Sequence, residues 1–234
     1  MVLADDRAGW ILNSPAVRIR PRPRGTSQSG QAAREIGDVF KQSRYYDDAE
    51  PLAGHVWRHV SPYLNECEFS VVVDLAAGHG RNSANLLPLS QQLYIVDINV
   101  ENIDHCRERF GDDPRIRYVV NDGTSLAGIP ADAVTLVFSF DAMVHFDQDT
   151  VRAYLHDFRR VLRPGGRGFC HHSNYAANPG GNWRQNPCWR NFMSRELFCS
   201  YAQEAGLRIL RSDPIDWGGV PALDCYTLFE RPPS

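Results

Sequence analysis

Val71-Val72-Val73-Asp74-Leu75-Ala76-Ala77-Gly78-His79-Gly80 is the stretch on which the reading of this chain turns. Its three β-branched residues form a continuous apolar run, the pattern of a strand covered on both faces. The run closes on an acid, and small residues follow at 76, 77, 78 and 80. Small residues let the backbone turn sharply and approach a ligand closely. A helix expected from Arg81 to Leu87 would aim its free N–H groups at that turn. Taken alone, the segment also fits an ordinary tight β/α turn.

The alternation continues on the C-terminal side. Strands are expected at Leu93–Val96, Ile116–Val120, Val134–Phe138, Gly168–Cys170, Leu207–Leu210 and Tyr226–Phe229. Helices are expected at Val100–Phe110, Thr150–Leu162 and Arg195–Ala205, and Arg163-Pro164-Gly165-Gly166 reads as a helix stop before strand five. The pattern predicts an α/β fold: a doubly wound, seven-stranded, mainly parallel sheet with helices on both faces. On the N-terminal side, Ile36, Val39 and Phe40 sit at helical spacing, and a second helix is expected over Leu52–Tyr63, giving an N-terminal helical cap. Residues 1–33 are rich in Arg, Pro, Ser and Gly and read as a flexible tail, leaving 34–234 as the folded domain.

Composition narrows the function. The 234 residues carry a net charge of −3 and 43% hydrophobic residues, which suits one soluble domain without a basic face for nucleic acid. No apolar run approaches a membrane span. The six cysteines are scattered without a C-x-x-C pair, so neither a metal site nor a disulfide framework is expected, and the compartment is read as cytoplasmic. A homodimer is left open.

In a doubly wound sheet, ligands bind beyond the C-terminal strand ends. After strand two comes Asp97, which can accept from ribose hydroxyls or serve as a helix N-terminal charge. After strand three comes Asp122-Gly123, placed for an adenine edge or for an Asp-Gly turn. After strand four comes Ser139-Phe140-Asp141-Ala142-Met143-Val144-His145.

Together these pieces resemble the class I S-adenosylmethionine-dependent methyltransferases over about residues 70–229. The chain departs from the family at Ala76, where the loop's first glycine usually stands. The resemblance implies that Ala76, Gly78 and Gly80 line the methionine part of S-adenosylmethionine, with Asp74 toward its amino group and Arg81 and Asn82 toward its carboxylate. It implies that Asp97 holds the ribose, that Asp122 and Gly123 recognise adenine, and that Ser139 and Phe140 lie beside the sulfonium or adenosine. A nicotinamide dehydrogenase is the rival reading, but Asp74 would repel a pyrophosphate and Ser83 occupies the third glycine position.

Methyl transfer to a neutral hydroxyl needs a base, and histidine suits that task. His145, His171 and His172 follow strands four and five, with Asp141 close by. Alternation along a strand sends His171 and His172 to opposite faces. The Asn/Asp-Pro-Pro-aromatic run common in methyltransferases of nucleobase or amide nitrogens is absent, since Ser139-Phe140-Asp141-Ala142 stands there. This favours a small-molecule acceptor, with a hydroxyl of a sugar or natural-product intermediate placed first and a small amine second. A non-catalytic cofactor-binding subunit is a third reading. Trp183, Arg184, Trp189 and Arg190 lie in a long loop that can bind an acceptor or simply pack down. Tyr45, Tyr46 and Trp217 are further candidate walls.

Overall fold

A computed structural model describes residues 28–41 and 44–233. The tail expected over 1–33 lies outside the described residues as far as 27, and from Gln28 the chain is already helical. Helix α1 (Gln28–Lys41) buries Ala33, Ile36 and Val39, and is followed by α2 (Tyr45–Ala49) and α3 (Ala53–Leu64). These three helices make up the N-terminal cap.

The sheet contains β1 (Val71–Leu75), β2 (Gln92–Asp97), β3 (Ile116–Val120), β4 (Val134–Ser139), β5 (Leu162–Ser173), β6 (Arg208–Trp217) and β7 (Val220–Glu230). Their spatial order is β3-β2-β1-β4-β5-β7-β6. The first five are mutually parallel, and β7 runs antiparallel to both β5 and β6. The order reverses between β1 and β4, so the crevice beyond those two strands is the switch point where such sheets bind ligands. The segment at 163–166, expected to be a connection, lies within β5, and β6 and β7 are longer than expected because they form a wide hairpin.

Alternating side chains build two cores. Val73, Leu75 and Val137 pack with Val151, Tyr154 and Phe158 of α6 (Gln148–Val161) and Phe198 of α7 (Arg195–Glu204). Val72, Ile95 and Phe138 face the other way, onto Val56 and Val60 of α3 and Ile103 of α5 (Val100–Phe110). The expected helix at 81–87 is shorter: α4 (Ser83–Leu86) followed by a single 3-10 turn. Asp147 and Ser194 cap α6 and α7 by accepting from the backbone N–H groups of Thr150 and Leu197.

Gly168 on β5 lies opposite Phe229 on β7, and a Cβ there would sit 2.2 Å from the Phe229 ring. That ring is fully buried and stacks on Phe158, so it has nowhere to retreat. Gly168→Ala is therefore expected to lose about 1–3 kcal/mol of stability through overpacking. Urea unfolding with an unchanged m-value would read this directly.

Candidate active site

Beyond the ends of β1, β2 and β4 lies a cleft of about 870 Å3, partly open to solvent. Its floor is the turn after β1. Ala76 has φ 56° and Gly78 φ 57°. An L-residue held in that left-handed region costs roughly 1–2 kcal/mol, so Ala76 adopts a glycine conformation without being glycine. The Gly78 N–H donates to Asp97 Oδ2 at 2.9 Å, while Asp97 Oδ1 accepts from the Asn99 N–H at 2.9 Å and from Asn102 Nδ2 at 3.0 Å. Burial pushes the Asp97 carboxyl up, against the pull of these bonds. The roof is the cap: Ala33, Ile36, Gly37 and Phe40 of α1 face the cleft, as do Tyr45 and Tyr46 of α2. Asn99 Nδ2 donates to the Gly37 carbonyl, and the Tyr46 hydroxyl accepts from Asn102, so the roof is bonded to the residues around Asp97.

Of the residues assigned to the cofactor from sequence, Ala76, Gly78, Arg81, Asn82, Asp97, Gly123 and Phe140 line this cleft. Four others do not. Asp74 is buried and accepts from the Ser83 hydroxyl at 2.5 Å. Gly80 lets α5 approach, since a Cβ there would meet the Phe110 ring at 2.5 Å. Ser139 donates to the Leu75 carbonyl, tying β4 to β1. Asp122 spends its carboxylate on its own turn, accepting from both the backbone and the hydroxyls of Thr124 and Ser125. Its burial would raise the carboxyl, but these bonds outweigh it and hold it low. The cleft instead gains Ile98, Asn121 and Tyr154, which the sequence did not single out. Ile98 packs where a Cβ on Gly123 would fall, at 2.5 Å.

A second cavity of about 590 Å3 opens beside the first. Phe40, Tyr45, Ala49, Arg81, Phe140, Asp141 and His145 border both. Leu52 and Val56 of the cap, with Cys188, Arg190 and Trp217, complete the second. Asp141 has φ 59° and accepts from the Tyr45 hydroxyl, with guanidinium nitrogens of Arg81 and Arg190 each 3.8 Å from its carboxylate. His145 is buried, and its Nδ1 meets the Trp189 carbonyl at 2.8 Å. A carbonyl only accepts, so the proton is on Nδ1 and Nε2 carries the lone pair. Burial, reinforced by Arg190, lowers the His145 pKa to about 4, so the ring is neutral.

The other two histidines are sealed away from both cavities. His172 stacks on Phe198 with ring centroids 3.8 Å apart, and both of its nitrogens are held, by the Ser173 carbonyl and the Thr227 hydroxyl. Its burial lowers its pKa to about 3. His171 is fully buried between the Asp141 N–H and Asp224. Neither can reach an acceptor. Trp183 and Trp189 also miss the cavities. They pack edge to face on each other, Trp183 against His145 and Trp189 against Phe40. Arg184 pairs with Glu35 of α1. Tyr46 serves the first cavity alone.

Residues 72–166 match the family model described as a methyltransferase domain. The chain carries a class I S-adenosylmethionine-dependent methyltransferase domain. It is 34% identical over 112 residues to a demethylmenaquinone methyltransferase of Clavibacter sepedonicus, covering 47% of this chain and 42% of that one. It is also 34% identical over 127 residues to a ubiquinone/menaquinone biosynthesis C-methyltransferase of Caulobacter vibrioides, covering 49% of each. The chain thus spans less than half the length of these curated relatives. Among solved structures it is similar to the putative methyltransferase of Haloferax volcanii in complex with the Trm112 methyltransferase activator. That likeness has a TM-score of 0.62 at 19% identity, over 89% of this chain and 99% of that one, and shows the fold.

The methyltransferase cofactor fits the residues present. Asn82 borders the cleft, is buried, and has an Oδ1 with no hydrogen-bond partner. Such an acceptor is costly unless a ligand donor meets it, and the ammonium of a methionine group is one. Asp97 borders the cleft at the far side of the glycine turn, and its Oδ2, which among the described residues accepts only the Gly78 N–H, keeps a lone pair for a ribose hydroxyl.

Two expected outcomes follow from the turn. Burial raises the Asp74 carboxyl to about 7, above its unfolded value of roughly 3.9. Its contribution to stability is complete below the unfolded pKa and is lost as pH rises through 7. Asp74→Asn should therefore melt higher than wild type at pH 8, with the difference vanishing toward pH 4. Ala76→Gly should melt no lower than wild type, because relief of the left-handed strain offsets the roughly 0.4–1 kcal/mol of extra chain entropy. A clear drop in Tm for Ala76→Gly would contradict the strain assigned to Ala76.

Proposed function

We propose that this protein transfers the methyl group of S-adenosylmethionine to a small acceptor bearing an acidic hydroxyl on a flat conjugated ring. The observation that carries this reading is the second cavity, which adjoins the cofactor cleft and shares with it both available proton acceptors, His145 and Asp141. Bound S-adenosylmethionine supplies an electrophilic methyl group, so the chain's own task is to hold the acceptor in line and receive its proton. Placement of this kind can account for much of the acceleration, since effective molarities reach about 10⁵–10⁸ M.

Phe40, Phe140 and Trp217 offer ring faces for a flat acceptor, and Leu52 and Val56 an aliphatic end wall. His145 Nε2 receives the hydroxyl proton. A base with a pKa of about 4 is matched to a phenol or enol better than to a sugar alcohol. The relatives' names point the same way, since both concern quinone-type rings. They also favour a second reading, methylation at the ring carbon beside the hydroxyl. Both outcomes begin with loss of the same proton.

The test is a thermal-shift panel followed by a transfer assay. S-adenosylhomocysteine should raise Tm, whereas NAD(P) should not; the reverse result would sink the reading. Methyl-deuterated S-adenosylmethionine with a panel of phenols and hydroquinones should give a product one labelled methyl heavier, and NMR of that methyl separates oxygen from carbon attachment. Asp97→Asn should weaken S-adenosylhomocysteine binding about tenfold, the worth of one charged hydrogen bond of roughly 1.5 kcal/mol, by calorimetry. His145→Gln should lower kcat about 10²–10⁴-fold with cofactor affinity unchanged. Because His145 is already unprotonated above pH 5, any rise of rate between pH 6 and 9 should follow the acceptor's own pKa and shift from one phenol to the next.

A further inference from the structure

We infer that Asp224 of β7 is the positioning residue for both proton acceptors of the site, acting through His171 and Arg190. The inference rests on the reading that Asp141 and His145 face the acceptor. Asp224 is fully buried and lines neither cavity. Its carboxylate accepts from Arg190 Nε at 2.9 Å and Nη2 at 2.6 Å, a two-pronged pairing, and meets His171 Nε2 at 2.9 Å. From there three routes lead to the site.

The first runs through His171. Because the carboxylate only accepts, the His171 proton is on Nε2, and Nδ1 is left to accept from the Asp141 N–H at 3.2 Å. Asp141 is in the left-handed region, which a non-glycine residue keeps only when its surroundings enforce it. The second runs through Arg190, whose Nη2 stands 3.8 Å from the Asp141 carboxylate. The third runs through Arg190 Nη1, which donates to the Cys188 carbonyl at 3.0 Å. Cys188 and Trp189 are both left-handed, with φ 48° and 55°, so this bond clamps a strained corner. The Trp189 carbonyl at that corner fixes the His145 tautomer. One carboxylate thus sets the backbone of Asp141, the charge beside it, and the orientation of His145.

Burial alone would raise the Asp224 carboxyl, yet Arg190 and His171 hold it well below the usual range, so it stays ionised. Buried ion pairs contribute little net stability over apolar packing, whereas their geometry is demanding. The Trp217 ring lies 5.4 Å from the Arg190 guanidinium, and both border the second cavity.

Asp224→Asn keeps the shape and removes the charge. With its amide oxygen in the place of Oδ2 it still accepts from Arg190 Nη2 and His171 Nε2, but its NH2 then opposes the Arg190 Nε–H. The fork is then broken, and Arg190 loses the pose that places it beside the Asp141 carboxylate and on the Cys188 carbonyl. ¹⁵N NMR of the full chain should show His171 protonated at Nε2 in wild type, and in Asp224→Asn the Arg190 Nε–H resonance should move upfield, with the His145 Nδ1–H resonance shifting as the 188–189 corner relaxes. S-adenosylhomocysteine affinity should stay within twofold, while transfer to the best phenol should fall at least 100-fold. Arg190→Lys, which keeps the charge but loses the fork, should cost about tenfold in transfer and covers the case in which Asp224→Asn does not fold. Unmoved Arg190 Nε–H and His145 Nδ1–H resonances, or unchanged transfer in the variants that fold, overturn the inference. If wild type methylates none of the phenols, the functional reading fails, and the Arg190 and His145 signals still decide whether Asp224 holds both residues in place.

Discussion

The site depends on the carboxylate of Asp97 and its bond from the Gly78 N–H. That contact joins the turn after β1 to the turn after β2, and Asn99 and Asn102 share the same two oxygens. Ala77 adds a second link by donating to the Val96 carbonyl at 3.1 Å. The parallel register of β1 on β2, Leu75 opposite Val96, brings the two strand ends level so that these bonds can form. With both turns fixed, the cap docks through Gly37 and Tyr46 onto the same asparagines. Loss of that one carboxylate would loosen floor and roof together.

Strain concentrates around the site. Among the described residues six non-glycines have positive φ, and four of them, Ala76, Asp141, Cys188 and Trp189, lie on the cavities or support them. Each is held by a specific neighbour: the Asp97 turn beside Ala76, His171 on Asp141, and Arg190 on the 188–189 corner. Strained backbone at a functional site is preorganisation maintained by its surroundings. The rest of the fold is relaxed by comparison, with capped helices and two well-filled cores.

The β/α alternation and the turn at 74–80 were legible because strand periodicity and small-residue turns are local signals. The antiparallel β7 was not, since strand direction at a sheet edge depends on long-range pairing. The cleft residues Gly78, Asp97 and Phe140 could be placed from their positions after strands. For Asp122 the sequence left the adenine edge and the Asp-Gly turn both open, because an acid that closes its own turn and an acid that binds adenine look alike in sequence. Strand alternation correctly sends His171 and His172 to opposite faces, but it says nothing of Phe198 or Asp224, which seal them in. Arg190 read as a loop residue able to bind the acceptor. Its partner lies 34 residues away on β7, and no local pattern announces such a pair. The helical cap was legible, but not that its Ala33 and Ile36 line the cleft, because their apolar spacing reads equally well as plain core.

The cap has one more consequence. Phe40, Tyr45 and Ala49 are walls of both cavities at once. A displacement of these three residues that uncovers one cavity therefore uncovers the other. In the proposed reaction, spent cofactor and methylated product would then share one way out.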